Sequence, residues 1–342
     1  MKTFKTKMLL LATMCAAMVS CDSVIYDDEG DCSTKYSVKF RYDMNMEYAD
    51  AFEHEVQTVT LCAFDTSGVL AYTKTESAAT LCANNQTMDV NDIAPGVYTF
   101  LAWAEGEQRN ADSYTFSDMT VGQTSLNDIN CKINRTTADD GTATVSNDLT
   151  PLFHGMVTRQ DFTALLDGGQ RTAEIDLTKN TNVVRVVLQH LSGENINVND
   201  FSFTITDSNG WMNYDNSLIS DVQLTYKPWS VYSGTAGINT DSEEGQTSVS
   251  AAIAEFTVGR LVYGNNPILT VYNNEGNRVL AIPLIDYALL VKGNYNSNLD
   301  NQEYLDREDE YAMTFFLDDD NNWISSSIII NSWRVVLQDF EM

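Results

Sequence analysis

The cysteine at position 21 is the residue whose surroundings most clearly predict a chemical modification. It follows a basic segment, residues 1–7, and an uncharged run, residues 8–19, a combination that is typical of a signal peptide. Residues 18–21 resemble a lipobox, in which the cysteine thiol accepts diacylglycerol and becomes the new N-terminus, although a methionine stands where leucine is usual. The sequence therefore predicts a signal peptide over residues 1–20 and a lipid on Cys21. An ordinary signal peptide with an incidental cysteine is the alternative.

Four further cysteines lie beyond the lipid site. Exported proteins reach oxidising compartments, where disulfides persist. Four cysteines permit three full pairings, and the sequence does not choose among them or against buried free thiols. No CxxC motif is present, so a redox or zinc site has little support. The four are Cys32, Cys62, Cys82 and Cys131.

The residue types that enzymes use most often form no recognisable motif. The three histidines, His54, His154 and His190, lie outside the serine, cysteine and metal motifs of hydrolases, and no glycine-rich phosphate loop is present. Acidic runs at residues 306–310 and 318–322 could hold calcium, but aspartate and asparagine between two strands are also the usual turn residues. We expect no catalytic residue, no metal site and no cofactor apart from the covalent lipid.

The charge of the chain limits its partners. Asp and Glu number 48 against 20 Lys and Arg, for a formal net charge of −28, and such a surface repels phosphate backbones. We therefore expect no nucleic-acid partner. The residues directly after Cys21 are acidic and predict a solvated tether over residues 21–35. No later apolar run reaches the ~20 residues of a membrane-spanning helix.

Alternation with a period of two is the main structural signal after residue 35. From Tyr36 to Tyr42, aromatic and apolar residues alternate with polar ones, which is typical of a half-buried strand. Similar short strands, separated by Gly, Asn and Asp turns, recur along the rest of the chain. Helical patterns are limited to residues 47–52 and 286–291.

The number and length of these strands favour antiparallel β-sandwiches. A chain of 342 residues exceeds the ~250 to 300 residues at which one core usually stops growing. A polar, glycine-rich stretch at residues 168–171 is the most plausible boundary. The sequence therefore predicts an all-β fold with one sandwich over residues 36–170 and a second over residues 171–342.

Eight short segments carry a family resemblance, and their order along the chain makes the set specific. They are CDSVIYDDEGDC (21–32), FRYD (40–43), ADAF (49–52), LFHG (152–155), TVGRL (257–261), IPLIDY (282–287), QEYLDREDEY (302–311) and MTFFLD (313–318). Together they resemble the fimbrial anchor and assembly lipoproteins of Bacteroidetes-type (type V) pili, of the minor-fimbria anchor kind.

This resemblance implies two tandem transthyretin-like β-sandwich domains and a place at the base of a fibre. The protein would attach the fibre to the outer membrane through the lipid on Cys21, limit its length, and have fimbrial stalk subunits as partners. In lipoproteins of this type, acidic residues near the acylated cysteine are associated with display on the outer face of the membrane. The expected location is therefore the cell surface.

The resemblance also implies roles for the two terminal strands. Stalk subunits in such systems lose an N-terminal strand to a protease, and the vacated groove accepts a strand from a neighbour. An anchor that keeps its lipid-linked strand, here residues 36–42, keeps its groove filled. The C-terminal strand, with Trp333, Val335 and Leu337, is then expected to be donated to the first stalk subunit. Alternatively, it completes the second sandwich.

Two other functions stay open at this point. Lys39 and Arg41 are potential trypsin-like cleavage points, so a stalk-type role is compatible with the composition. A glycan-binding surface lipoprotein is the main alternative, in which exposed tryptophans such as Trp211 and Trp229 would stack on sugar.

Overall fold

The computed structural model describes residues 33–166, 168–238, 247–293 and 296–336 of the chain. The signal peptide, the lipid site at Cys21, Cys32 and Leu337 lie outside these ranges, so the predictions for them stay predictions. No helix in the described part is long and apolar enough to span a membrane.

The described residues form 23 strands, four short α-helices and two 3₁₀ helices, Leu126–Asp128 and Val198–Asp200. Strands of the N-terminal half are β1 (Thr34–Arg41), β2 (Thr58–Phe64), β3 (Leu70–Ser77), β4 (Thr87–Asp89), β5 (Gly96–Glu105), β6 (Tyr114–Phe116), β7 (Asn130–Ile133), β8 (Thr136–Thr137), β9 (Ala143–Val145), β10 (Leu152–Phe162), β11 (Gly169–Asp176) and β12 (Thr178–Lys179). Strands of the C-terminal half are β13 (Thr181–His190), β14 (Phe201–Asp207), β15 (Trp211–Asn213), β16 (Leu224–Tyr226), β17 (Ser230–Ile238), β18 (Thr247–Gly259), β19 (Ile268–Asn273), β20 (Arg278–Pro283), β21 (Glu310–Leu317), β22 (Trp323–Ile330) and β23 (Trp333–Val336).

The helices are short, and none was predicted with the right bounds. They are α1 (Phe52–Glu55), α2 (Ala78–Ala83), α3 (Leu284–Leu289) and α4 (Asn301–Arg307). Two of them begin after a side-chain cap: Ser77 accepts a hydrogen bond from the backbone N–H of Thr80, and Asp300 accepts one from Glu303, which satisfies donors that a helix N-terminus leaves unpaired.

The first sandwich packs a small sheet on one face of a larger one. The small sheet has the order β11-β1-β4 and the larger one the order β12-β10-β5-β2-β3. The first core lies between them and contains fully buried aromatic side chains such as Phe40, Phe100 and Phe153. Here β1 pairs in parallel with β11 and antiparallel with β4.

The second sandwich packs two six-stranded sheets against each other. Their orders are β17-β18-β13-β21-β22-β23 and β20-β19-β14-β16-β9-β8, and a three-stranded sheet, β15-β7-β6, lies beside them. The second core includes Val186, Phe256 and Phe315. Side chains from the reverse face of the larger first-sandwich sheet, Leu101 and Trp103, join the same core. The predicted all-β class with two β-sandwiches is confirmed.

The sheets cross the predicted boundary at residues 170/171 in both directions. Strand β11 begins at Gly169, pairs with β1, and buries Ala173 and Ile175 in the first core. In the other direction, β7 pairs with β15 and β9 pairs with β16. The two halves are therefore joined by shared sheets as well as by a continuous chain, and the exact boundary stays a prediction.

Candidate functional site: the terminal strands and the junction between them

Strand β1 is held on both backbone edges and on one face. Val38 and Phe40 are fully buried, and Tyr36 stacks on Phe162 with ring centroids 5.4 Å apart. Burying one such side chain stabilises the fold by ~1.5–3 kcal/mol relative to leaving it exposed. The groove in which the predicted first strand should lie is therefore filled by that strand.

The two predicted cleavage points lie within this paired strand. Lys39 pairs across the sheet with Glu174 on one side and Thr87 on the other, and Arg41 bonds the Glu174 carboxylate at 2.9 Å and the Asp43 carboxylate at 2.5 Å. A protease binds its substrate as an unpaired extended chain. Cleavage at either residue requires β1 to leave both neighbours first.

The end of β1 meets helix α4 of the C-terminal half. The Arg307 guanidinium donates to the carbonyl oxygens of Asp43 at 3.0 Å and Asn45 at 3.2 Å, and its central carbon lies 4.5 Å from the Tyr48 ring centroid. Its Nε bonds the Glu303 carboxylate at 3.0 Å. Because this cation is largely buried and holds three acceptors at once, the loop after β1 is fixed against α4.

A buried lysine forms a second connection across the junction. The Lys179 ammonium bonds the carboxylates of Glu55, at 3.2 Å, and Asp309. Burial alone would lower the pKa of Lys179, but Asp309 and Glu55 outweigh burial and raise it. Lys179 therefore stays charged and ties α1 to the start of β21. We refer to these contacts of Arg307 and Lys179 as the junction network.

Strand β23 is the outermost strand of its sheet. It pairs only with β22 among the described strands, through a turn at Asn331 and Ser332 whose φ angles are +46° and +71°. The Asn331 side chain accepts from the backbone N–H of Ala312 at 2.7 Å and donates to the Glu310 carbonyl at 2.9 Å. The turn is fixed to β21, whereas the outer edge of β23 pairs with no other strand of the described part.

Two of the predicted partner-binding residues, Trp333 and Val335, line a groove beside β23. Trp333 and Val335 lie on one face of this strand, where Val335 packs against the second core and Trp333 is 61% exposed. The groove has a volume of about 480 Å³, within the ~300–1,000 Å³ typical of ligand pockets. Apolar side chains dominate its lining: Met46, Leu290, Val291, Tyr304, Trp333 and Val335.

Glu308 is a carboxyl group in the lining of this groove, and its pKa is raised into the neutral range. Burial raises its pKa to about 7, with a further increase from the neighbouring Asp309 carboxylate. Hydrogen bonds from the Glu310 backbone and the Asn331 side chain act in the opposite direction. The groove therefore contains a carboxyl group that changes charge near neutral pH.

The strand directions put the start of β1 and the end of β23 on opposite sides of the junction. Strands β1 and β11 run in parallel towards it, and single residues separate β11 from β12 and β12 from β13. Strands β13, β21 and β23 run away from it together. At ~3.4 Å per residue, the eight residues of β1 alone separate the tether side from the junction by ~27 Å.

His154, His190 and residues of both acidic runs have structural contacts. The His154 Nε2 lies 2.8 Å from the Tyr214 carbonyl, and burial lowers the pKa of His154 to about 4. Asp306 forms a bidentate pair with Arg260 at 2.7 Å, and Asp318 accepts from the backbone N–H groups of its own turn. Among the described residues, no group of three or more His, Cys, Asp or Glu side chains could hold a metal ion.

The two tryptophans proposed for sugar stacking lie at strands of different sheets. The Trp211 indole N–H donates to the Asn130 side chain at 2.9 Å, and the Lys132 ammonium lies 4.5 Å from the ring centroid. Trp229 is 39% exposed and lies directly before β17. Lys132 therefore covers one face of the Trp211 ring.

Cys62, Cys82 and Cys131 are free thiols. Burial raises the pKa of Cys62 to about 11, and the pKa of Cys131 is raised well above its ordinary value by the same cause. The sequence left both disulfides and buried free thiols open. In the structure these three cysteines are free thiols, and Cys62 and Cys131 are buried in the second core.

Sequence reasoning did not identify the junction network or the groove. Arg307, Glu308 and Asp309 lie in a segment that carried the family resemblance, but no role could be assigned to them from their pattern. Arg307 reaches a backbone 264 residues earlier in the chain, and no local pattern predicts such a contact. The only signal was the concentration of charges at residues 306–310.

Solved structures of similar proteins agree with this architecture. A candidate adhesin from Bacteroides thetaiotaomicron is 32% identical, with a TM-score of 0.75 over 91% of this chain and 100% of the other. The fimbrial anchor protein Mfa2 from Porphyromonas gingivalis has the same fold at 19% identity, with a TM-score of 0.61 over 89% and 99% of the two chains. The chain thus has the all-β fold of these adhesin and fimbrial-anchor structures.

The sequence comparisons narrow this class to one family. Residues 28–339 match the family of fimbrillin-A associated anchor proteins Mfa1 and Mfa2. The chain is also 21% identical over 331 residues to the minor fimbrium anchoring subunit Mfa2 of Porphyromonas gingivalis, which covers 95% of this chain and 92% of the relative. The chain belongs to the family of fimbrillin-A associated anchor proteins, which confirms the resemblance found in the sequence.

Proposed function

We propose that this protein is the anchor subunit of a cell-surface fimbria, held in the outer membrane by a lipid on Cys21 and limiting the length of the fibre. The observation that carries the proposal is the position of β1. The strand nearest the predicted lipid is paired on both edges and buried on one face. A subunit in this state has no vacant groove at its tether end and cannot accept a further subunit there.

Strand β23, near the other terminus of the chain, has the properties that contact with a partner strand requires. Strand β23 is an edge strand, its Trp333 is largely exposed, and an apolar groove runs beside it. Exposed edges and adjacent apolar grooves are the elements of recognition by strand addition. We therefore propose that Trp333, Val335 and Leu337 contact the first stalk subunit, and that β23 is the strand donated to it.

The junction network supports the transmission of load between the two ends. A fibre pulls on β23, whereas the tether holds the start of β1. Arg307 and Lys179 join the elements that follow β1 to those that precede β21. Buried, charge-assisted hydrogen bonds of this kind are among the stronger polar contacts in proteins. The two sandwiches would therefore move as a unit under tension.

Deletion of the gene in the native host tests the anchor role. We expect fibres that are longer than in the parent strain or shed into the medium, seen by electron microscopy and by immunoblotting of culture supernatant. Complementation with Cys21→Ala should restore the protein but leave it, and the fibres, outside the membrane fraction. Normal fibre length and retention in the deletion strain would refute the proposal.

A pair of tryptophan variants tests the partner surface. Trp333→Ala with Val335→Asp should release fibres while the anchor itself stays in the membrane fraction. Trp229→Ala is the matched control, because Trp229 is an exposed tryptophan beside β17, at the opposite edge of the same sheet. Equal release by both variants would place the contact elsewhere.

A further inference from the structure

One loop of the first sandwich is apolar where comparable turns of the protein are polar. It joins β10 to β11 and contains Ala164, Leu165 and Leu166 in a row. Leu166 is 102% exposed, and Ala164 is exposed as well, whereas the turns at residues 65–68 and 318–322 consist of Asp, Asn, Thr, Ser and Gly. Exposed runs of apolar residues are out of place on a protein surface unless they have a function. We call residues 163–166 the apolar loop.

The apolar loop lies beside the first residue of β1. The Leu165 backbone N–H donates to the Thr34 hydroxyl at 2.7 Å, and Thr34 pairs with Gly169 at the start of β11. The segment from the predicted lipid site at Cys21 to Thr34 spans at most ~45 Å when fully extended. The loop therefore lies at the end of the sandwich to which the tether is attached, within reach of the predicted lipid.

Polar contacts hold the base of the apolar loop in place. The Asp161 carboxylate accepts from the Thr163 backbone N–H at 3.0 Å and from the Thr163 hydroxyl at 2.6 Å. The Arg171 guanidinium donates to the Thr163 carbonyl at 3.3 Å and pairs with Asp161 at 3.2 Å. Because the base is already ordered, contact with a surface costs little further conformational entropy.

A second exposed aliphatic side chain lies at the same end. Val121 is 51% exposed, and the next residue, Gly122, donates its N–H to the Leu70 carbonyl at the start of β3. The antiparallel order β10-β5-β2-β3 places the start of β3 at the same end as the end of β10. The third large hydrophobic side chain exposed in the described part of the N-terminal half is Tyr48, which the Arg307 cation covers on one face. Uncovered apolar side chains of this half are thus concentrated at the tether end.

We infer that the apolar loop contacts the lipid bilayer beside the lipid anchor, with Leu166 entering the boundary between head groups and acyl chains. Interfacial side chains reach ~5–10 Å into this boundary. The inference rests on the proposed lipid tether, which confines this end of the protein to the membrane. One leucine binds a bilayer only weakly from solution, but on a tethered protein the contact is intramolecular, with an effective concentration on the order of millimolar.

The charges at this end favour a lipid surface without net charge. Asp65 and Asp161 lie at the ends of β2 and β10, Lys35 and Arg171 lie in β1 and β11, and the chain as a whole has a formal net charge of −28. An anionic surface would repel a protein of this charge, and salt would screen the repulsion. Zwitterionic head groups allow the apolar contact without this cost.

A polarity-sensitive dye at the loop tests this inference on the full lipidated protein in phosphatidylcholine vesicles. The dye NBD is attached at Leu166→Cys, together with Cys32→Ser and Cys82→Ser, so that the remaining thiols are the buried Cys62 and Cys131. Relative to unlipidated Cys21→Ala protein in solution, we expect blue-shifted, brighter emission that is quenched by phosphatidylcholine spin-labelled on its acyl chain. Leu191→Cys is the matched control, because Leu191 is an exposed leucine after β13, away from the tether. Its dye should keep the emission of an aqueous site.

A second pair of variants tests whether Leu166 itself drives the contact. With the dye on the exposed Ala164→Cys, the emission should again shift when the vesicles are present. Adding Leu166→Asp should remove most of that shift, since a carboxylate is costly to place among lipid tails. Replacing a third of the phosphatidylcholine by phosphatidylglycerol should reduce the shift at low salt, and added salt should restore it.

Four results would overturn the inference. They are unchanged emission at Leu166→Cys, an equal change at Leu191→Cys, no effect of Leu166→Asp, and a larger shift on the anionic vesicles. Flotation of the same samples in a density gradient separates the loop from the tether. Protein that floats with the vesicles while the dye stays aqueous would refute the loop contact and leave the lipid tether intact. Lipid-processed protein that does not float would refute the proposed tether, and the inference with it.

Discussion

Replacing Glu308 by glutamine should make the protein more stable above neutral pH and leave its stability nearly unchanged in acid. Glu308 lies in the groove beside β23, where burial and the neighbouring Asp309 carboxylate raise its pKa from 4.5 to about 7. Glutamine retains the size and hydrogen-bonding capacity of the protonated acid. It lacks the charge that this site disfavours.

The sign and size of the effect follow from proton linkage. Between pH 4.5 and about 7, the folded state keeps a proton on Glu308 that the unfolded state has released. The folded state binds more protons in this window, so the free energy of unfolding falls as pH rises. A shift of this size corresponds to about 2–3 kcal/mol once the partial solvent contact of the side chain is considered. Above the folded-state pKa of Glu308, the full amount of about 2–3 kcal/mol has been lost from the free energy of unfolding.

The test uses the difference in free energy of unfolding between the variant and the native protein, because His154 makes that free energy change with pH in the opposite direction. Burial lowers the pKa of His154 from 6.5 to about 4. The unfolded state therefore binds the extra proton within this range, and stability falls as pH drops from 6.5 towards 4. The two trends overlap in the native profile and cancel in part, whereas subtraction removes the contribution of His154.

Urea denaturation at closely spaced pH values from about 4 to about 8.5, followed by circular dichroism, measures the required free energies. We expect the Glu308→Gln curve to diverge upwards from the native curve between the two pKa values and to stay about 2–3 kcal/mol above it at higher pH. The exposed Glu194→Gln control should show a constant difference near zero. A difference for Glu308→Gln that does not change with pH would show that Glu308 ionises normally and that the reasoning is wrong.

Four substitutions and one chemical probe test the packing of the protein. Phe40→Ala removes a fully buried ring of β1 and should lower the free energy of unfolding by about 3–5 kcal/mol in urea titrations; a loss below about 1 kcal/mol would contradict the closed groove. Arg307→Ala removes the hydrogen bonds to the Asp43 and Asn45 carbonyls and should cost about 2–3 kcal/mol. Arg307→Lys keeps the charge but lacks the planar set of donors, so it should recover only part of that loss. Gly155→Ala places a Cβ against Ile175 and 2.7 Å from the Asp176 carbonyl oxygen, and overpacking should cost at least about 1–3 kcal/mol by thermal and urea unfolding. In thiol titration of the native protein, Cys62 and Cys131 should react only after denaturant is added, because both are fully buried, while the partly exposed Cys82 reacts first.

The strand pattern was predictable because it depends on local sequence. Alternation from Tyr36 to Tyr42 predicted β1 nearly to its ends, since a strand with one buried face must repeat every two residues. The acidic stretch at residues 318–322 was also assigned correctly to a turn: Asn321 has a φ of +60°, and the Asp318 carboxylate accepts from the backbone N–H of Asn322 at 2.7 Å. Asp and Asn favour such turns through local hydrogen bonds.

The contacts that join the two halves could not be predicted from the same signals. Helix α4 spans only seven residues, too few to show helical periodicity among the charges of residues 306–310. Strands β7 and β9 have the pattern of short strands of the first half, but pairing with β15 and β16 places them in sheets of the second. Long-range packing determines which strands pair with each other. The sequence of a single strand indicates only which of its two faces is buried.

The two terminal strands differ in how they are paired, and this difference gives the molecule a direction that suits a subunit at the end of a fibre. Head-to-tail contacts between like subunits extend without limit unless one end is closed. Here β1 is the central strand of its sheet and is paired along both backbone edges, whereas β23 is an edge strand with one edge unpaired among the described strands. Under the proposed function, a subunit with this asymmetry can continue a fibre in one direction only. Length control then requires no separate cap, because the strand that follows the lipid tether closes the groove itself.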